Sequence, residues 1–260
     1  MNKIEEVFAK EKKVFIPFIT AGDPSLEKTE ELIYAMEKAG AGIIEIGIPF
    51  SDPVAEGPVI QDADLRALQA GCKTDKIFAM LKKVRKNTQI PLVFLTYINP
   101  IFTYGCHKFF KNCQDCQVSG VIIPDVPFEE KQEVFKYCKQ YDVDLISLIA
   151  PTSEQRIKMI AKEATGYIYV VSSLGVTGVR TSITTDIGAI VAQIRQVTSV
   201  PVAVGFGIST PEQAIKMANI SDGAIVGSAI VKIIGENGNN CVKPVADYVK
   251  VMVEAVASCR

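Results

Sequence analysis

Short apolar runs and amphipathic stretches alternate along this chain from one end to the other. The apolar runs are bounded by Gly, Pro, Asn and Asp and predict strands at 14–19, 43–46, 92–95, 121–123, 145–149, 167–171, 202–204 and 224–226. Apolar positions at helical spacing predict helices at 27–39, 74–86, 108–114, 129–141, 154–162, 187–197, 211–218 and 242–257. A further amphipathic segment, 4–10, precedes the first strand.

Strands that each precede a helix, at a repeat of roughly 25 to 35 residues, are the pattern of a closed α/β barrel. We therefore predict one (β/α)8 TIM-barrel domain over residues 1–260, with segment 4–10 as an extra N-terminal helix. An open doubly wound sheet is the competing architecture, but no GxGxxG follows the first strand. In a barrel, the loops that follow the strands gather on one face, where active sites lie.

Composition narrows the classes of function. The chain has 28 Lys and Arg against 29 Asp and Glu, a net charge of -1, and contains no basic block, so nucleic acid is not an expected partner. No apolar run approaches the ~20 residues of a membrane helix, and the charged N-terminus does not resemble a leader, so we expect a cytoplasmic protein. The seven cysteines show no framework spacing and predict reduced thiols.

The same reasoning leaves no expected metal site. Cys113 and Cys116 form a lone CxxC with no second pair, and the single histidine, His107, has no partner pattern beside it. We interpret the two cysteines as surface positions of a helix.

Candidate chemistry begins in the stretch 43–61, which reads IIEIGIPFSDPVAEGPVIQ. Glu45 interrupts an apolar strand, where an ionised carboxylate is costly unless it is paired or its pKa is shifted. Asp52 and Glu56 follow in a loop that contains several Gly and Pro residues. We therefore expect the three carboxylates to lie together at one opening of the barrel. A structural ion pair is the alternative interpretation of Glu45.

Other strand ends carry aromatic and polar side chains. Phe18 ends the first strand, Leu95 and Tyr97 end the third, Asp125 follows the fourth, and Tyr169 lies near the end of the sixth. Together with Glu45 they form a lining suited to a flat aromatic ring.

Glycines follow the last two strands. Gly205, Phe206 and Gly207 follow the seventh, and Gly227 and Ser228 follow the eighth, before a short apolar helix at 230–234. Bare backbone N–H groups and a helix N-terminus favour an anion, so we predict a phosphate site here. Tight turns without a ligand are the alternative.

The ordered motifs PFITAGDP, EIGIPFSDPVAEGPVIQ, PDVPFEE, SSLGVTG, VAVGFGIS and VGSAIVKII closely resemble those of the tryptophan synthase alpha chain family. The resemblance covers about residues 15–234. It implies retro-aldol cleavage of indole-3-glycerol phosphate to indole and glyceraldehyde 3-phosphate, within L-tryptophan biosynthesis. It also implies a pyridoxal phosphate (PLP)-dependent beta chain as partner, in an α2β2 tetramer, with no cofactor in this chain.

The resemblance places the catalytic carboxyls at Glu45 and Glu56. Glu45 is expected to act in proton transfer, and Glu56 to accept a hydrogen bond from the indole N–H. Asp125 is expected to support a closing loop that carries Thr177 and Gly178. At position 56 this chain has Glu in VAEGP where the family usually has Asp in ADGP, which adds a methylene to the side chain. Two alternatives therefore stay open: a weakly active chain that mainly regulates the beta chain, and another phosphate-binding barrel.

Overall fold

The computed structural model describes residues 2–171, 186–205 and 207–259. Its described strands all run parallel in one sheet. Most are apolar runs buried on both faces, as strands covered by helices must be. They are β1 (Val14–Thr20), β2 (Ile44–Gly47), β3 (Leu92–Leu95), β4 (Gly120–Ile122), β5 (Asp144–Leu145), β6 (Ser147–Ile149), β7 (Ile168–Val171), β8 (Val202–Gly205) and β9 (Gly223–Val226).

Amphipathic helices connect these strands, and many of them bury an apolar stripe and begin with a polar cap. The described helices are α1 (Lys3–Lys10), α2 (Leu26–Lys38), α3 (Pro58–Gln69), α4 (Thr74–Val84), α5 (Ile98–Tyr104), α6 (Cys106–Asp115), α7 (Gln132–Gln140), α8 (Glu154–Lys162), α9 (Ile187–Arg195), α10 (Pro211–Ile220), α11 (Ser228–Asn237) and α12 (Val242–Ala257). Short 3-10 turns occupy Phe128–Glu130 and Gly238–Asn240.

The strand order is β5-β4-β3-β2-β1-β9-β8-β7-β6, so the two ends of the sheet are consecutive in the chain. Between β5 and β6 lies Ile146, whose N–H donates to the carbonyl oxygen of Val121 at 2.9 Å and continues the ladder. The two short strands together take the place of the single predicted fifth strand, and the sheet forms a nearly closed barrel.

The two largest apolar regions among the described residues hold most of the barrel together. The larger one lies between the strands and the outer helices. The smaller one fills the barrel interior with inward side chains such as Val14, Ile43 and Tyr167, and Ile4 from α1 packs among them. The ring of Phe8, also on α1, lies 6.1 Å from that of Tyr167. The N-terminal helix therefore closes one end of the barrel, and the site described below lies at the other.

The predicted TIM barrel, its extra N-terminal helix and the helix after the last strand are confirmed. Three local predictions were wrong. Residues 58–61 begin helix α3 instead of ending a loop, because Pro58 occupies the first helical position, where its missing N–H costs nothing. Helix α5 was not predicted, and the fifth strand is interrupted at Ile146.

The cysteines also differ from one part of the prediction. All seven are free thiols, as expected. Cys113 and Cys116, however, are buried and do not lie on the surface of a helix. They pack in the apolar region between the strands and the outer helices.

A buried ion pair fixes α3 against the loop that follows β1. Asp23 is fully buried, and its two carboxylate oxygens accept hydrogen bonds from Nε and Nη2 of Arg66, both at 2.8 Å. Removing one partner of such a pair leaves an uncompensated buried charge. The position of α3 therefore depends on this contact.

We expect Arg66→Met to destabilise the chain by about 2–3 kcal/mol, less than for a fully buried pair because Arg66 is partly exposed. Urea unfolding followed by circular dichroism measures the loss. Lys28→Met is the control, since it removes a pair with the exposed Glu31 (2.8 Å) and should cost much less than Arg66→Met. Adding Asp23→Asn to Arg66→Met should recover part of the lost stability, because the buried charge is then removed as well. Equal stability of the Arg66→Met and Lys28→Met variants would contradict the stabilising role of the ion pair between Arg66 and Asp23.

Candidate active site

Glu45 points into the barrel from β2. Side chains alternate along a strand, so Ile44 and Ile46 face the outer helices while Glu45 faces inward. The side chain is 1% exposed, and the Tyr167 hydroxyl donates a hydrogen bond to its Oε1 at 2.6 Å. Burial raises the pKa of Glu45 to about 8, and the hydrogen bond from Tyr167 offsets part of that rise. Near neutral pH this carboxyl is therefore largely protonated.

A mostly apolar cavity opens beside Glu45 at the carboxyl ends of the strands. Strand register places Phe18 of β1 next to Glu45. The cavity is lined by Phe18, Glu45, Ala55, Glu56, Ile60, Leu95, Pro124, Leu148, Tyr169, Gly207, Ile208, Ile225, Gly227 and Ser228. Apolar walls with two carboxyl groups suit a flat apolar ring that also carries a polar group.

The structure brings together eight of the residues predicted from sequence, which are Phe18, Glu45, Glu56, Leu95, Tyr169, Gly207, Gly227 and Ser228. Tyr97, Asp125 and Gly205 are not in that wall. The predictions for Thr177, Gly178 and Phe206 concern positions outside the described residues.

The three predicted residues outside the wall support it from behind. The Tyr97 hydroxyl accepts a hydrogen bond from the Ala55 N–H at 3.0 Å. The Asp125 carboxylate accepts hydrogen bonds from the Ile98 N–H at 3.0 and 3.2 Å and so caps α5. At Gly205, any Cβ would lie 2.3 Å from the hydroxyl oxygen of Tyr169, so this backbone must stay bare for Tyr169 to fit.

The loops after β8 and β9 contribute Gly207, Gly227 and Ser228 to the cavity wall, and we call this part the backbone end of the cavity. Helix α11 begins at Ser228, with Gly227 before it, and the first N–H groups of any helix lack partners within that helix. Gly207 has a φ of 77°, a conformation that side chains disfavour. The backbone end of the cavity therefore includes the start of α11, and the N-terminus of a helix favours an anion.

Glu56 lies in the loop before α3 and is 6% exposed. Its carboxyl lies within hydrogen-bond reach of the Asp64 carboxyl and close to the Tyr97 hydroxyl. Burial raises the pKa of Glu56, and these two contacts partly lower it. Burial and the neighbouring charge of Glu56 raise the pKa of Asp64. Two carboxyl groups in contact therefore stand on one side of the cavity.

Sequence reasoning missed several of these residues. Ile60 and Asp64 are four positions apart on one face of α3, so recognising that helix would have placed them beside Glu56. Tyr167 and Tyr169 are two positions apart, and strand alternation puts both in the barrel interior with Glu45. Ala55, Pro124, Leu148, Ile208 and Ile225 carry no signal of their own and line the cavity through their strand positions.

In the described ranges no group of His, Cys, Asp and Glu is arranged to hold a metal ion. None of the described helices is long and apolar enough to cross a membrane.

The fold and this cavity define the class of protein: a (β/α)8-barrel enzyme whose site lies at the carboxyl ends of the strands. Comparison with known proteins narrows the class. The family model for the tryptophan synthase alpha chain matches residues 4–258. The tryptophan synthase alpha chain of Lacticaseibacillus casei is 50% identical over 256 residues, which cover 98% of this chain and 96% of that protein.

Solved structures agree. The tryptophan synthase alpha chain of Legionella pneumophila has a TM-score of 0.88 at 35% identity, covering 98% of this chain and 97% of that one. A chain of the tryptophan synthase α2β2 complex of Pyrococcus furiosus has a TM-score of 0.87 at 34% identity, covering 94% and 99%. The chain belongs to the tryptophan synthase alpha chain family. The predicted lyase function, cleavage of indole-3-glycerol phosphate, is thereby confirmed and is supported over a mainly regulatory role.

We expect Tyr167→Phe to raise the pKa of Glu45 further above its ordinary value, because the variant loses the hydrogen bond that favours the carboxylate. An NMR titration of protein with 13C-labelled glutamate carboxyls, assigned with Glu45→Gln, measures the change. Tyr34→Phe is the matched control, since it removes a hydroxyl that donates to a different glutamate, Glu30, at 3.1 Å. A Glu45 pKa that stays the same or falls in Tyr167→Phe would contradict this account.

Proposed function

We propose that Glu45 carries the proton transfers by which this chain cleaves indole-3-glycerol phosphate. The observation that carries the proposal is a carboxyl that is 1% exposed, with a pKa of about 8, on the wall of the cavity. A catalytic acid or base works best when its pKa lies near the working pH. With a pKa of about 8, Glu45 can both donate and accept a proton near neutral pH.

The proposed reaction starts with protonated Glu45. Its proton passes to C3 of the indole ring and leaves a cationic indolenine. The Glu45 carboxylate then removes the proton of the adjacent glycerol hydroxyl, the C–C bond breaks, and the bonding electrons return to the ring. Indole and glyceraldehyde 3-phosphate leave, and Glu45 is protonated again, so one group serves as both acid and base.

Glu56 is proposed to accept a hydrogen bond from the indole N–H and to stabilise the positive charge of the indolenine. Phe18, Leu95 and Tyr169 are proposed to pack against the ring, since apolar and aromatic side chains bind flat rings well. Tyr97 is proposed to hold Glu56 in place, and Asp125 with Thr177 and Gly178 to stabilise the site once substrate has bound.

The phosphate is proposed to bind at the backbone end of the cavity, at Gly207, Gly227 and Ser228, and Gly205 and Phe206 are assigned to the same site. The N-terminus of α11 supports this assignment because its N–H groups and dipole favour an anion. Indole and phosphate ends would then lie on opposite sides of Glu45.

Further proposals concern the whole chain. We propose one barrel domain over residues 1–260 and no cofactor in it, with PLP held by a beta chain. An α2β2 assembly is supported by the Pyrococcus furiosus α2β2 complex, to whose chain this one is similar. A cytoplasmic location is supported by seven free cysteines, since disulfides are rare in that compartment.

Glu45→Gln tests the proposed catalytic role. We expect the rate of indole release to fall by roughly 100- to 10,000-fold, because glutamine can neither give nor take a proton. Single-turnover assays of indole-3-glycerol phosphate cleavage measure it, with thermal unfolding as a check on folding. Glu5→Gln is the matched control on the closed end of the barrel and should leave the rate unchanged. Glu45→Gln with more than about a tenth of the original rate would exclude the proposed role.

Ser228→Glu tests the phosphate end. A carboxylate at the start of α11 competes with the phosphate for the helix N-terminus, so KM should rise roughly tenfold or more while Ser228→Ala changes it less. Binding of indole alone, followed by calorimetry, is the internal control and should be unaffected. Equal KM values for the Glu and Ala variants would place the phosphate elsewhere.

A further inference from the structure

We propose that Asp64 is a positioning residue for Glu56, and that the two side chains share one proton which holds the Glu56 carboxyl against α3 at the cavity wall. The proposal rests on the proposed role of Glu56 toward the indole N–H. It assigns a function to a residue that the sequence motifs did not single out.

The first support is geometry. Asp64 is 4% exposed and Glu56 is 6% exposed, and their carboxyls are in hydrogen-bond contact. Ile60, one helical turn before Asp64 on α3, lines the cavity together with Glu56. Asp64 therefore reaches Glu56 from the helix that forms the adjacent part of the wall.

The second support is an unsatisfied oxygen. Oε2 of Glu56 is inaccessible to solvent and has no hydrogen-bond donor among the described residues. A buried carboxylate oxygen without a donor is costly. A proton on the pair supplies the missing O–H donor, because a protonated carboxyl donates to an ionised one.

The third support is the set of charges around the pair. The described groups that act on the two carboxyls are Tyr97, which contacts Glu56, the Phe50 N–H, which contacts Asp64, and the charge of Asp23. The nearby cation, Arg66, is already engaged by both oxygens of Asp23. Because none of the residues that the structure describes places a cation on the pair, two ionised carboxyls would repel each other at low dielectric, and one proton is retained.

The shared proton has a consequence for the longer side chain at position 56. Glutamate adds a methylene compared with the aspartate expected from the family motif, and the extra length must be accommodated. A hydrogen bond to Asp64 directs the carboxyl toward α3 and leaves the pair with a single negative charge. That charge is the group to which an indole N–H would donate.

Variants of Asp64 test the proposal. Asp64→Ala removes the donor, so we expect kcat/KM for indole-3-glycerol phosphate cleavage to fall by roughly 10- to 100-fold, as for a misplacement near 1 Å. Asp64→Asn keeps an N–H donor toward Glu56 and should recover most of that loss. Asp62→Asn removes the same charge from an exposed site on the same helix and is the matched control. If Asp64→Ala performs like Asp62→Asn, the proposal is overturned.

A spectroscopic measurement tests the proton itself. At neutral pH, infrared spectra should show the band of protonated Glu45, which Glu45→Gln removes, and a second protonated-carboxyl band that Asp64→Asn and Glu56→Gln each remove and Glu45→Gln leaves in place. If this second band survives in Asp64→Asn, the shared proton is excluded. The readout does not depend on catalysis, so failure of the proposed reaction would appear in the Glu45→Gln assay and leave this result intact.

The pH dependence of stability gives a second, independent readout. A carboxyl with a raised folded-state pKa binds its proton more tightly in the folded chain, so the folded chain loses stability as pH rises from the unfolded-state pKa of ~4 through the folded-state value. Asparagine removes this loss. The Tm of Asp64→Asn relative to the unsubstituted chain should therefore increase from about pH 5 to about pH 9. A difference that is constant with pH would count against the pair.

Discussion

The desolvation of Glu45 inside the barrel is the interaction on which the site depends. An ionised carboxylate at this position would face apolar side chains of the barrel interior, so the protein favours the neutral form and the pKa of Glu45 rises to about 8. The Tyr167 hydroxyl limits that rise and fixes the orientation of the group. Without a closed barrel, water would reach Glu45 and the pKa would return toward its ordinary value. The proton chemistry of the site is therefore a product of the fold.

Helix α3 connects the fold to the second carboxyl. The ion pair between Arg66 and Asp23 fixes this helix to the loop after β1. The same helix contributes Ile60 to the cavity wall and Asp64 to the contact with Glu56. A shift of α3 would thus move the wall and the carboxyl pair together, since packed helices move as units.

Much of the fold could be predicted from the sequence because its signals are local. Apolar runs, helical spacing and the glycines after β8 and β9 gave the barrel, Glu45 and the backbone end of the cavity. The errors arose where the determinant is distant in sequence. Asp125 caps α5 from a different loop. A proline such as Pro58 is typical both of loops and of the first turn of a helix, so its position alone did not reveal α3. Missing α3 also hid Asp64, because its contact with Glu56 can be recognised only once the helix is in place.

The two carboxyl sites of the cavity differ in charge because their neighbours differ. Glu45 has mostly apolar surroundings and accepts a hydrogen bond from the Tyr167 hydroxyl, so this carboxyl gains or loses its own single proton near neutral pH. Glu56 has a second carboxyl as its neighbour, and a pair that retains one proton keeps one negative charge over the same pH range. When the surroundings of two neighbouring groups shift their pKa values by different amounts, one group can be a neutral acid while the other is an anion in the same cavity. Cleavage of an indole side chain needs both: a proton for C3, and a fixed negative charge beside the nitrogen that becomes cationic. The arrangement of the barrel interior around Glu45 and of α3 around Glu56 meets these two requirements with carboxyl groups alone.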